Sequence, residues 1–421
     1  MFGNGAHAAG GIRRVLALAL ACVGAIGLAT GCGGGVSSSS GESSPGVSKD
    51  AITIGGSYTL SGPLSVLGVF GPASKAYFES VNAKGGVDGH RIKFVYYDDA
   101  GDPSKVLQNT RRLVEQDNAF GIYSTVGNTV SASILDYVNQ QRVPQLLAVA
   151  GGSEFGKTAA HPWTTPFYVG NATEGAVDGR FILSKQPNAK IGVLATNDDA
   201  GQSYVRGLEG ALAGSGATIV AKQTYELTDA TVDSQIAKLR ASGADTVAIL
   251  ALAKFSSLGL KRIHELGWKP TIVLSLSASS RDASLRPVGF ENVQGVYSAF
   301  FAKDPSDPQW ANDPALKRYR DTLAQYGRSL DPNDAFTLLA YMNAQVLVST
   351  LDESSALTRA AVNDAAHNLS LPTVDGLLPG ISIKTGPGDP WPIETLQVVQ
   401  FRGDQWVPVG DPVSYEGKTP N

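Results

Sequence analysis

From Asp50 onward, short β-prone apolar runs alternate with segments whose apolar residues recur at helical spacing. Ile52 to Ser57 reads as a strand, followed by a loop containing Ser61, Gly62, Pro63 and Gly68. A helix is predicted to open at Gly71-Pro72, since proline in a first turn sacrifices no hydrogen bond. Ala73, Ala76, Tyr77 and Val81 form its apolar face, and Lys84-Gly85-Gly86 ends it. Ile92, Phe94 and Tyr96 alternate as a strand does. Asp102-Pro103 is predicted to cap a helix with Val106, Leu113 and Val114 on one side. The cycle repeats with a strand at Phe120–Tyr123, a helix carrying Ile134, Leu135 and Val138, and a strand at Gln145–Val149.

A second series begins near Lys190. Strands are predicted at Ile191–Leu194, Ile219–Tyr225, Thr246–Leu250 and Thr271–Leu276, with helices around Tyr204–Leu212, Ser234–Arg240 and Phe255–Leu266. A longer helix spans Ala335–Leu351, and the C-terminal third turns strand- and turn-rich. Such alternation predicts an α/β fold in two lobes, each a parallel sheet flanked by helices.

The first thirty-one residues stand apart. Arg13 and Arg14 precede an uncharged apolar run, Val15 to Leu28, that is shorter than the ~20 residues a membrane-spanning helix needs. Small residues follow, so the segment reads as an export signal. Leu28-Ala29-Thr30-Gly31-Cys32 resembles a bacterial lipobox, which implies cleavage before Cys32 and lipidation of that residue. The stretch Gly33–Gly46, rich in Gly and Ser, then reads as a flexible tether. Acyl chains at ~0.8 kcal/mol per buried methylene would hold the protein at the membrane surface. The Arg pair leaves Sec and twin-arginine export both open.

Removal of residues 1–31, which hold two arginines and no acid, takes the formal charge from −4 to −6. A mildly acidic chain with 17% charged residues argues against a nucleic-acid surface. Of the two cysteines, Cys22 leaves with the signal, so no intrachain disulfide is expected.

Traces of catalysis are scarce. The five histidines lack metal-ligand spacing, and Gly151-Gly152-Ser153-Glu154-Phe155 and Gly201-Gln202-Ser203-Tyr204-Val205 both miss the last glycine of a nucleophile elbow. Asp98, Asp99 and Asp102 lack the spacing of a calcium loop and read as a strand end with a helix cap. The absence of such motifs leaves catalysis open but shifts the weight toward binding, and no cofactor or metal is expected. In open parallel sheets ligands bind at the carboxyl ends of strands. The loops there are Thr59–Pro63, Thr125–Thr129, Ala150–Ser153, Asn197–Tyr204 and Ser275–Ser279, all rich in Ser, Thr, Asn or Gly. Hydroxyls and free N–H groups at helix starts suit a carboxylate or another polar head.

Several segments resemble the extracytoplasmic solute-binding proteins of ABC importers, in particular the leucine/isoleucine/valine-binding branch with its type I periplasmic-binding fold. They are Leu60-Ser61-Gly62-Pro63, Val81-Asn82-Ala83-Lys84-Gly85-Gly86-Val87-Asp88-Gly89, Tyr97-Asp98-Asp99 with Asp102-Pro103, Val143-Pro144, and Gly243-Ala244-Asp245. The similarity runs from about Asp50 to Asp411. It implies two Rossmann-like lobes joined by three hinge crossings, expected near Tyr168–Asn171, Gln294–Ala299 and Val374–Gly376. The expected division is 50–168 plus 299–373 for one lobe and 169–298 plus 374–415 for the other, with a 416–421 tail. It further implies a monomeric receptor, not an enzyme, that closes around a small polar or amphipathic solute and delivers it to a permease with its ATPase. A branched-chain or related amino acid is the default solute, and the protein would sit outside the cell membrane on its lipid anchor. A ligand sensor serving a membrane receptor is the alternative.

Carried onto this chain, the resemblance assigns carboxylate binding to Thr125, Gly127, Asn128, Thr129, Gly151 and Gly152. Ser61, Leu67, Ala150, Ser153, Asp199, Gln202, Tyr204, Ser275 and Ser277 complete the expected ligand set. Leu67 stands where the family often has an aromatic residue, and Ala200 stands where Tyr is usual. The family's ammonium-binding acid would fall around Ser275–Ser277, where there is none; Asp282 is nearest. A cleft without such a partner would reject zwitterions, because a buried unpaired charge is costly.

Overall fold

A computed structural model describes residues 44–62 and 64–419. The expected signal, lipobox and most of the tether lie outside the described residues.

The first lobe is built on β1 (Ala51–Tyr58), α1 (Phe70–Asn82), β2 (Arg91–Asp98), α2 (Pro103–Glu115), β3 (Gly121–Tyr123), α3 (Asn128–Ala132), α4 (Leu135–Gln141), β4 (Gln145–Ala148) and β5 (Thr164–Pro166). Its five strands are all parallel, in the order β2-β1-β3-β4-β5. Asp102 caps α2 as expected, accepting from Ser104 N at 2.8 Å with Pro103 at the first helical position. The helix expected around Ile134–Val138 is two short ones, α3 and α4, with Ile134 between them.

The chain then passes to the second lobe with α5 (Asn171–Lys185), β6 (Lys190–Thr196), α6 (Asp199–Leu212), β7 (Thr218–Tyr225), α7 (Asp233–Ala241), β8 (Thr246–Ile249), α8 (Ala253–Glu265), β9 (Thr271–Leu274) and β10 (Tyr297–Phe300). It returns to the first lobe as α9 (Pro314–Tyr326), α10 (Ala335–Glu353), α11 (Arg359–Ala366) and the short pair β11 (Ser370–Leu371) and β12 (Ile383–Lys384). The last strands, β13 (Thr395–Arg402), β14 (Gln405–Pro408) and β15 (Val413–Ser414), rejoin the second lobe. That sheet runs β14-β13-β10-β9-β8-β6-β7. It is parallel from β7 to β10 and antiparallel at β13 and beyond, with β15 on β13.

The return is fixed by packing that sequence periodicity does not reveal. On α10, Asn343 donates to Ser124 Oγ (2.9 Å) and Leu147 O (3.0 Å), and Tyr341 packs edge-on against Tyr77 of α1. Residues around the expected third passage, Val374–Gly376, lie beside the second one: Lys303 N donates to Gly376 O and Leu378 N to Phe301 O. The following segment stays tied to α11, since Thr385 N donates to Leu369 O and Thr385 Oγ1 to Ala366 O. The chain enters the second sheet only past Trp391, where Ile393 bridges Val169 and β13 begins.

Helix α5 was not foreseen, and its burial explains why. Eleven of its 15 residues are buried, so it has no polar face to give a helical period. It lies against α6 so closely that a Cβ on Gly175 would stand 2.1 Å from Tyr204 O, and one on Gly207 would stand 1.9 Å from Ala172 O. Only glycine permits that approach.

Candidate functional site

Between the lobes lies a cleft of two connected chambers. One, of about 360 Å³, has a polar end formed by Gly127, Asn128, Thr129, Asn171 and Asp198. The other, of about 200 Å³, is walled largely by Phe255, Leu276, Phe300 and Phe301. They share Leu64, Leu67, Tyr168, Leu227, Leu252, Ser277, Phe336 and Leu339, which come from both lobes. The loops at the carboxyl ends of both sheets thus meet across one space, as ligand sites in open α/β sheets do.

The polar end is built around a left-handed turn. Gly127 has φ +99°, which lets the chain swing from β3 into α3. The backbone N–H groups of Asn128, Thr129 and Val130 then head the helix without a partner among the described residues. The Asn128 side chain is engaged elsewhere. Its Oδ1 accepts from Gly151 N (3.0 Å) and Gly152 N (3.2 Å), and its Nδ2 donates to Asn171 Oδ1 (3.4 Å). The two glycine N–H groups expected to hold a carboxylate are therefore satisfied by Asn128.

The expected site residues divide accordingly. Leu67, Gly127, Asn128, Thr129, Ala150, Gly151 and Ser277 line the cleft. Thr125 is buried and accepts from Gln145 Nε2 at 3.0 Å; Ser275 is buried and shares a 3.1 Å hydrogen bond with Ser277. Ser61 donates to Asp98 at 2.5 Å, and Asp99 accepts from Ser57 and Thr59, each at 2.9 Å. The acidic cluster thereby braces the first loop. Tyr204 is buried between α5 and α6, donating to Asp178 at 2.5 Å, and Gln202 is exposed on α6.

Ser153 and Asp199 turn to each other. Ser153 N donates to Asp199 Oδ2 (2.7 Å) and its Oγ to Oδ1 (2.9 Å), so one residue of each lobe joins the other across the cleft. Arg206 stands 3.6 Å from the same carboxylate. A Cβ on Gly152 would lie 2.3 Å from Asp199 Oδ2, so glycine is needed for the contact.

Three cleft features escaped sequence reasoning. Tyr168 lies at the first crossing, packs edge-on against Phe301 (5.8 Å) and touches both chambers; its hydroxyl has no hydrogen bond among the described residues. Asp198 falls in the expected loop Asn197–Tyr204 without being singled out there; its Oδ1 accepts from Gly201 N (3.1 Å) and Thr196 Oγ1 (2.6 Å), and it lines the polar end. Glu174, on α5, is buried beneath the cleft and accepts from Leu276 N at 2.7 Å. Burial pushes its carboxyl up to about 7 against the pull of that N–H and of Asn171. Its neighbour Asp178 is raised well above the carboxylate range, also by burial.

Elsewhere Asp389, Glu394 and Glu416 bring carboxylate oxygens within 4.8 Å of one another. Protein donors already hold two of the three: Lys384 pairs with Glu416 (2.7 Å) and Gly417 N donates to Glu394 (2.7 Å). Among the described residues no helix is long and apolar enough to cross a membrane.

Residues 51–405 match the family model described as periplasmic binding protein. A Leu/Ile/Val-binding protein homolog of Brucella suis is 26% identical over 75% of this chain and 80% of its own length. Among solved structures, a branched-chain amino acid ABC transporter protein from Thermus thermophilus with bound valine superposes with a TM-score of 0.76. It is 16% identical and covers 87% of this chain and 96% of its own. A fatty acid ABC transporter substrate-binding protein from Thermomonospora curvata gives 0.73 at 20% identity, over 90% and 97%. The fold is the type I periplasmic-binding fold, and the family consists of extracytoplasmic solute-binding proteins, not enzymes. The chain belongs to the periplasmic binding protein family.

Proposed function

We propose that this protein is the solute-capturing subunit of an ABC uptake transporter, and that its solute carries a carboxylate on an apolar body. The observation that carries this is the asymmetry of the cleft. N–H groups without a partner among the described residues and the Thr129 hydroxyl stand at one end, and the rest is mostly aliphatic or aromatic, with Lys254, Lys303, Asp304 and Asp334 on the wall of the second chamber. Helix-start N–H groups favour an anionic head, and removing apolar surface from water favours the body at about 25 cal/mol per Å². Two structural neighbours agree in chemistry, since valine and a fatty acid both combine a carboxylate with an apolar part.

In this reading the lobes are 50–168 with 301–392, and 169–300 with 393–415. They close around the solute by hinging at the three crossings, and the closed face is read by a permease and its ATPase. Cys32, lipidated after signal removal, tethers the monomer outside the cell membrane. The test is uptake of labelled apolar carboxylates and amino acids in a deletion strain. The reading requires loss of uptake of at least one solute, restored by the wild-type gene. The same solute should shrink the radius of gyration of the purified protein in solution scattering. Unchanged uptake across the panel would overturn it.

A further inference from the structure

Beside the contact between Ser153 and Asp199 lies a further cavity, of about 310 Å³, that shares only Gly151 with the two cleft chambers. Ser153 and Lys157 line it from the first lobe, Ser203 and Arg206 from the second, and Trp391 from the last passage between them. No Asp or Glu among the described residues lines it. Lys157 pairs with Glu154 at 2.6 Å. Arg206 gives Nη2 to Ser203 Oγ (2.7 Å) and stands 3.6 Å from Asp199, a carboxylate already held by Ser153. Its Nε and Nη1 donate to nothing among the described residues.

Two buried donors share this condition. Ser203, 1% exposed, accepts from Arg206, but its own hydroxyl proton has no acceptor among the described residues. Trp391, 5% exposed, has no partner there for Nε1. Gly156 keeps the edge of that indole open to the cavity, since a Cβ there would stand 3.2 Å from Nε1. Buried donors are ordinarily paired, so a cationic pocket holding two unpaired ones calls for an acceptor.

We propose that this pocket binds a small molecule bearing an oxyanion, a phosphate or a carboxylate, at a site separate from the solute cleft. Arg206 supplies the charge, and Ser203 and Trp391 supply neutral donors. The cavity leaves room for a body beyond the head. Because its walls come from both lobes, an occupant reinforces the Ser153–Asp199 contact and holds the lobes together. This role rests on the proposed hinged receptor, of which the occupant is an effector and not the cargo.

Calorimetry on the full mature protein uses phenyl phosphate and benzoate, whose common body leaves only the head to differ. At least one should bind saturably, and the tighter one names the head. Arg206→Gln should weaken it at least ~10-fold, and Trp391→Phe, which keeps a ring without the N–H, at least ~3-fold. Melting temperatures near that of wild type separate these losses from misfolding. Ser277→Trp, which fills the cleft, should leave the affinity unchanged. In solution scattering the bound probe should reduce the radius of gyration. Failure of both probes to bind overturns the inference, as does full affinity in Arg206→Gln. Loss of binding in Ser277→Trp overturns it too, by placing the anion in the cleft. Binding with no smaller radius overturns the effector role. The receptor reading falls separately, on the uptake panel.

Discussion

Replacing Glu174 by glutamine should stabilise the protein at neutral pH and do little in acid. The carboxyl is buried under the cleft floor, where only Leu276 N and Asn171 compensate its charge, and burial raises it from an ordinary 4.5 to about 7. The folded state therefore keeps a proton that the unfolded chain releases. With the folded group above the unfolded one, its favourable contribution is full below about pH 4.5 and is lost as pH rises to about 7. The interval corresponds to about 3 kcal/mol, the cost of ionising Glu174 in place. Glutamine keeps an oxygen for the Leu276 N–H and carries no charge. Urea unfolding of both proteins from pH 5 to pH 8 should show the variant gaining up to about 3 kcal/mol over wild type, with an unchanged m-value. Asp178 is raised first by burial and then by the Glu174 charge, so the variant also relieves Asp178 and the difference gains in the same direction. A difference that stays flat across that range would refute the reasoning, because it would mean that Glu174 is ionised or neutral throughout.

Asp199→Ala should loosen the lobes. Two charge-assisted hydrogen bonds from Ser153 are lost at a partly exposed carboxylate, discounted here for solvent screening to about 1–2 kcal/mol. Scattering should report a larger radius of gyration without solute, and solute affinity should fall roughly 5- to 30-fold; unchanged values would remove the contact from the closing mechanism. Gly207→Ala should cost about 1–3 kcal/mol in urea unfolding, since its Cβ would drive into Ala172 O and part α5 from α6. Cys32→Ser should release the protein from the membrane fraction, and a variant that stays attached would dismiss the lipid anchor.

The alternation of strands and helices was legible because most elements have one wet face. Val106, Leu113 and Asp102-Pro103 in α2 announce both face and cap. Helix α5 lacks that contrast, being buried on nearly all sides, and it also supplies Glu174 to the cleft floor. The third passage is expected at Val374–Gly376, where the chain pairs with residues 301–303, whereas it joins the second sheet only past Trp391. At the site, the loops were legible and the partnerships were not. Ser, Asn and Asp at strand ends predict a polar cleft. Only geometry tells that Asn128 satisfies Gly151 and Gly152, that Ser153 and Asp199 satisfy each other, and that Asp198 keeps one oxygen free. The aromatic wall is assembled from residues scattered between Tyr168 and Phe336, which no local pattern joins.

An apolar carboxylate captured between the lobes should survive gentle purification. Native mass spectrometry of gently purified protein tests it most directly, run beside Ser277→Trp, which fills the junction of the two chambers. The wild type should carry a small non-covalent adduct, identified on release as a carboxylate with an apolar body, and the folded variant should lack it. An adduct that persists in Ser277→Trp, or one with no carboxylate, would contradict it.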